Sequence, residues 1–251
     1  MQFKENTYED ILSSEREMVL YGVECYGDYY KNAFEFNFLL MNLIKSIDLI
    51  DRWIFLAFYS QVKKFHTLAL FSAVRRHHVQ SLLNLRYVIE SGQWAAYALG
   101  NIEESKFCRK DSNGIVFVDK KPHRDDMHAW LDKTCKEKAE ETKRLKKLIS
   151  ESSAHSNIVY SFQNFKVGTN DKPGFITPFF DFENEYLVKS DLWFVANAAL
   201  GLLDLFYGVN KMFGVFQLCD DFLIKFNHLV DQNAALKAEM MLSDRFKRSL
   251  K

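Results

Sequence analysis

The chain predicts an all-α fold, a single-domain bundle of several helices with one small β-hairpin-like insertion near residues 164–181. Three observations carry that expectation. Only three prolines occur in 251 residues, none of them before Pro122, and Pro173 and Pro178 lie close together. Proline removes a backbone donor and clashes with the preceding turn, so its absence over the first half leaves long helices uninterrupted. Glycine is scarce at 10, whereas Phe 23, Tyr 11 and Trp 4 make the chain aromatic-rich, which favours bulky helix packing over a turn-rich sandwich or barrel. Apolar residues also recur at spacings of three and four. A chain of this length buries roughly three quarters of its unfolded surface, enough for one core.

Residues 1–32 read as a short helix around 8–23 followed by a tyrosine-rich connection, Tyr26 to Tyr30, that covers the bundle. Core helices fill 34–160. From 34 to about 64, Phe38, Met41, Ile44, Leu49, Trp53 and Leu56 trace one amphipathic helix, and a second starts near His66. The second runs to Leu99 or breaks at Arg75-Arg76-His77-His78, because four charged or titratable residues in succession cannot all face inward. Asp111-Ser112-Asn113-Gly114 is turn chemistry ahead of the β-branched run from Ile115 to Val118, a short strand or hairpin. Pro122 precedes a helix over about 125–150, where eight of the eleven residues from Glu137 to Lys147 are charged and face water. Gly168, Asn170, Pro173, Gly174 and Pro178 mark the excursion at 164–181. A C-terminal helix pair fills 184–247, as about 184–213 and 216–245, parted near Gly214. The aromatics Phe34, Phe36, Phe38, Phe206, Tyr207, Phe213 and Phe216 read as core.

Lys+Arg 33 balance Asp+Glu 33, which removes any global argument for nucleic acid or an anionic membrane surface. Net charge near zero also favours self-association, so a homo-oligomer is expected. Cys25, Cys108, Cys135 and Cys219 form no C-x-x-C pair and read as reduced thiols, and the N-terminus lacks the apolar core of a signal peptide, which together point to the cytoplasm. The apolar stretches 34–58 and 192–209 are interrupted by Lys45, Asp48, Asp51 and Arg52, and by Asn197 and Asp204, so no membrane span is expected. Asp125-x-x-His128, with His123 nearby, mimics half of a carboxylate di-metal motif whose other half is missing, and no metal is expected. Glycine-rich phosphate loops, H-E-x-x-H and G-x-S-x-G are absent, so no cofactor is expected either. Arg75-Arg76-His77-His78 and the group Lys143, Arg144, Lys146 and Lys147 are compact basic patches that could contact phosphates.

Two polar constellations stand out against the apolar background. Between Leu82 and Leu99 the only charges are Arg86 and Glu90, on a helix that is apolar nearly all round and therefore expected to be buried. One reading is an internal ion pair that fixes helix register. The other is a guanidinium fork offered to a ligand phosphate or carboxylate, oriented by Glu90, with Gln93 and Tyr97 lining the same face. The second constellation is the small, polar stretch 149–157, with Ser150, His155 and Asn157. Its histidine titrates near neutrality and could act as acid or base, while the alternative is a capped helix terminus.

Arg86-x3-Glu90-Ser91 and, about sixty residues later, Ser150-x4-His155 resemble a group of helical bacterial proteins of unknown function, itself distantly similar to the HEPN nuclease and nucleotide-binding superfamily. The resemblance covers about 79–160. It implies action on RNA or a nucleotide in stress or defence and, for an enzyme, metal-independent RNA cleavage. A histidine would then assist attack by the 2′-hydroxyl, and an arginine would stabilise the developing phosphorane charge. Those roles fall to His155 and Arg86, with Glu90 beside them and Gln93, Tyr97, Ser150 and Asn157 as ligand-binding residues. HEPN nucleases usually carry R-x4–6-H on one helix, whereas here Arg124-x3-His128 is one residue short of that spacing. The alternative is a non-catalytic interaction module, in which Arg86–Glu90 is structural and the terminal helices dimerise.

Overall fold

Helix α1, Tyr8–Leu20, starts where the Thr7 hydroxyl accepts from the Asp10 N–H at 3.1 Å, with Glu9 and Asp10 in the first turn complementing the helix dipole. The structure, a computed structural model, describes residues 7–48, 51–113, 116–117, 120–152, 166–167, 174–181 and 184–242. Helix α2, Gly22–Tyr26, ends at Gly27, whose φ of +56° is open to glycine at little cost, and α3 follows at once over Asp28–Met41. The helix expected at 8–23 is thus two helices. Tyr29 and Tyr30, expected in a connection, lie inside α3.

The single helix expected over 34–64 is interrupted. Asn42 caps α3 by donating its side-chain amide to the Phe38 carbonyl at 2.8 Å. Strand β1, Ile44–Ile47, then pairs antiparallel with Phe216–Leu218, setting Ile44 opposite Leu218 and Ile47 opposite Phe216. The partner strand lies far along the chain, so no local periodicity could announce it; tertiary pairing overrides the helical spacing. Helix α4 runs unbroken over Trp53–Val74, straight through His66, where a helix start was expected.

At residues 75–78 the chain does break. The His77 N–H donates to the Ser72 carbonyl (2.8 Å) and the Arg76 N–H to the Ala73 carbonyl (3.0 Å), the paired bonds of a Schellman helix end. Arg76 occupies the left-handed position of that motif, at φ +64°. Helix α5, His78–Gly100, turns back along α4. After a 3₁₀ turn, Glu104–Lys106, the short strands β2, Arg109–Lys110, and β3, Val116–Phe117, make the expected hairpin.

The helix expected at 125–150 divides at Cys135 into α6, Lys120–Thr134, and α7, Lys136–Ser152. Pro122 lies inside the first turn of α6 instead of before it, a place where its missing N–H costs no intrahelical bond. Strands β4, Lys166–Val167, and β5, Phe175–Ile176, form the insertion's hairpin. Helix α8, Glu185–Phe213, closes at Gly214 in the left-handed conformation, strand β6 is Phe216–Leu218, and α9 is Phe222–Leu242. The last helix therefore begins six residues later than expected. Asn210 fixes this corner, accepting from the Val215 and Phe216 N–H groups and donating to the Phe216 carbonyl.

The fold is all-α, with the three two-stranded ribbons as its only sheets among the described residues. Helix α8 is the central pillar, packed on α3, α4, α5, α7 and α9. It is also long and apolar enough to cross a membrane, yet most of its apolar surface is buried by those neighbours. The ring of Phe55 packs on Tyr59, Phe206 and Phe216, which welds α4, α8 and β6 together. Of the aromatics expected in the core, Phe36, Phe206 and Phe216 are buried, while Phe34, Phe38 and Phe213 are exposed. Alternate residues of a helix cannot share one face, so Phe34 and Phe38 point away from Phe36.

Candidate functional site

Arg86, Glu90, Gln93 and Tyr97 fall on the face of α5 that meets α6 and α7, and each is used differently. Glu90 Oε1 accepts from Arg86 Nε at 3.3 Å and from Lys146 Nζ at 2.9 Å. Burial would raise the Glu90 carboxyl, but the bond and charge of Lys146, and then of Arg86, outweigh it and hold the carboxyl below its ordinary value. The side chains of Arg86 and Glu90 remain 34% and 36% exposed, so the pair sits at the rim of the seam and not in the oily interior expected for it. The apolar remainder of α5 is explained by its contacts with α4, α7 and α8.

Gln93 is buried and gives its amide to the Thr142 hydroxyl at 3.1 Å, which in turn donates to the Ala139 carbonyl. Tyr97 is buried among the rings of Trp94, Phe107 and Trp130. Both side chains are therefore occupied in packing one helix on another. The antiparallel rungs Gln93–Thr142 and Glu90–Lys146, carried one turn further, bring Arg86 level with Ser150, which is half-buried on α7. His155 and Asn157 lie outside the described residues.

Helix α6 extends the polar seam. Lys143 Nζ donates to both Asp132 oxygens, at 2.5 and 2.7 Å, and His128 lies one turn before Asp132 on the same face. Burial, then the charges of Lys143, Lys146 and Arg124, push the His128 imidazole below its ordinary value, with Asp132 opposing. Among the described residues, His128 Nδ1 and His123 Nε2 are shielded from solvent and meet no hydrogen-bond partner. The result is a ribbon of alternating groups: Arg86, Glu90, Lys146, His128, Lys143 and Asp132. Three cations face two carboxylates across a neutral ring. Among the described residues no three His, Cys, Asp or Glu side chains are grouped to hold a metal.

A second constellation was read in the sequence only as a basic patch. His77 Nε2 donates to Glu15 Oε1 at 2.8 Å, with Arg75 3.7 Å from the same oxygen. His78 Nδ1 bonds both Asp191 oxygens at 2.9 Å, and the Val79 N–H donates to Asp181 at 3.2 Å. Arg76 Nε donates to the Tyr26 hydroxyl at 3.4 Å. Burial drives the Asp191 carboxyl upward, His78 opposes, and Asp181 adds to the rise. Glu15 and Asp191 hold the two histidines, and with Asp181 they tie α1 and α8 to the turn between α4 and α5. Glu15 and Asp191 lie 62 and 113 residues from the histidines they hold, so nothing in the local sequence signals them. A groove of about 460 Å³ runs beside this corner, between Leu12, Val19, Leu20 and Phe71.

No protein-family model, no curated protein and no solved structure matches this chain.

Proposed function

We propose that this is a HEPN-like protein that acts on RNA or a nucleotide, taking the phosphate at the rim of the α5–α7 seam. One observation carries the reading: among the described residues Arg86 and Lys146 share a single carboxylate, Glu90, which leaves one positive charge in excess near Ser150, five residues before His155 in the sequence. A guanidinium fork on a carboxylate can exchange that partner for a phosphate of similar geometry. For cleavage, His155 takes the proton of a 2′-hydroxyl, the freed oxygen bonds phosphorus, and the P–O5′ bond breaks to leave a 2′,3′-cyclic phosphate, the departing 5′ oxygen taking its proton from water while Arg86 stabilises the added charge. The four free cysteines suit a reducing compartment such as the cytoplasm.

The test is incubation of the pure protein with total RNA under chelator, comparing wild type with His155→Ala and Arg86→Ala. Wild type is expected to cut, and each variant to lose about 100-fold or more, the scale of a general acid–base group. Equal background cleavage in all three removes the nuclease.

A second reading, a non-catalytic interaction module, is favoured by one further observation. Tyr8, Leu12 and Leu20 on α1 are 84%, 67% and 61% exposed, a run of apolar side chains that a partner helix would cover. In that case Arg86, Glu90 and Lys146 act only to hold α5 on α7.

A further inference from the structure

Among the described residues of the polar seam, His128 stands apart from the bonded pairs around it. Its neighbours are bonded in pairs, Lys143 to Asp132 and Lys146 to Glu90, while its own Nδ1 is screened from water and faces no acceptor or donor. A buried polar atom without a partner costs free energy, and such atoms are uncommon in native proteins unless something else meets them. We infer that a phosphate group seats between Lys143 and Lys146 and accepts a hydrogen bond from His128 Nδ1. This rests on the phosphate-binding reading of the same seam and adds to it the residue that couples binding to a proton.

The charged groups around the ring set the direction. Near it lie Arg124, paired with Asp125, and Asp132 on α6, Lys143 and Lys146 on α7, and Glu90 on α5 by way of Lys146. Burial, and then the nearby cations, hold the imidazole below its ordinary value, so without a ligand it stays neutral near pH 7. An incoming phosphate brings negative charge and acceptor oxygens together, which favours the imidazolium. Binding therefore takes up a proton on His128. Affinity is highest at low pH and falls as pH rises through the imidazolium range of the bound state, by up to about tenfold per unit while one proton is linked.

Histidine ring signals followed by NMR over pH 5 to 9 test this, with His128→Gln identifying the His128 resonance and with two probes. AMP presents a terminal phosphate, and the dinucleotide ApA presents only a backbone diester. The expected result is that His128 titrates at least one pH unit higher with a bound probe than without, and that His128→Gln weakens binding about tenfold at pH 6 but little at pH 8.5. A response to AMP alone assigns the site to a nucleotide's terminal phosphate, and a response to ApA as well assigns it to phosphate in either setting. If either probe binds in an Arg86-dependent way while the His128 signal stays still, the His128 inference falls and the phosphate reading stands. If neither binds, both fall.

Discussion

His66 has no exposed surface, and its imidazole donates from Nε2 to the Val195 carbonyl at 3.1 Å, joining α4 to α8. Burial, only partly opposed by that bond, pushes it down to about 4 from 6.5. The folded protein therefore holds a neutral ring that the unfolded chain would protonate more readily. Stability from this site is complete above about pH 6.5 and drains away as pH falls toward 4, to a total of about 3 kcal/mol. Chemical denaturation at pH 7.5 and 4.5 should show that loss in wild type, and His66→Leu should lack this part of the slope whatever its stability at neutral pH. Nothing in the sequence around His66 marks it, because its environment is built by α8, far along the chain. Arg86 and Glu90 were legible for the opposite reason: their spacing of four lies within one segment. Lys146 was not, since nothing local separates it from the other lysines of α7, and only the rung with α5 selects it.

The turn between α4 and α5 shows how an element boundary can be read without its mechanism. Consecutive charges at 75–78 announce a break, but the Schellman bonds and the left-handed Arg76 require the coordinates. A side chain with a Cβ pays roughly 1 kcal/mol or more in that conformation, whereas glycine does not. Arg76→Gly and Arg76→Ala both surrender the bond to Tyr26, so comparing them isolates the backbone effect. Gly is expected to be the more stable of the two by about 1 kcal/mol, seen as about 2–4 °C in thermal melting. Helix existence was legible through apolar spacing almost everywhere. The interruptions at Asn42 and Phe216 were not, because β1 and β6 specify each other and neither is a strand alone.

At the scale of the molecule, near-zero charge and the apolar run on α1 bear on assembly. Leu12 and Leu20 lie outside the bundle, and their groove is shared with Val19 and Phe71. Under the interaction-module reading a second copy covers this face, so light scattering should give twice the chain mass for wild type and one chain mass for Leu12→Asp combined with Leu20→Asp. A wild type that stays at one chain mass at high concentration removes self-association. Both residues are exposed, so neither substitution should cost the fold more than about 0.5 kcal/mol.

The placement of α8 also bears on how the protein is made. Helices α3, α4, α5 and α7, which surround it, are all synthesised before Glu185 leaves the ribosome. For most of translation the nascent chain is a set of walls around a vacant shaft, their oily sides wet and open to wrong partners. The central helix arrives almost last and closes the structure when it docks. Chaperone capture and premature aggregation should therefore peak just before that moment, and a pause in translation there would be the most hazardous one in the gene.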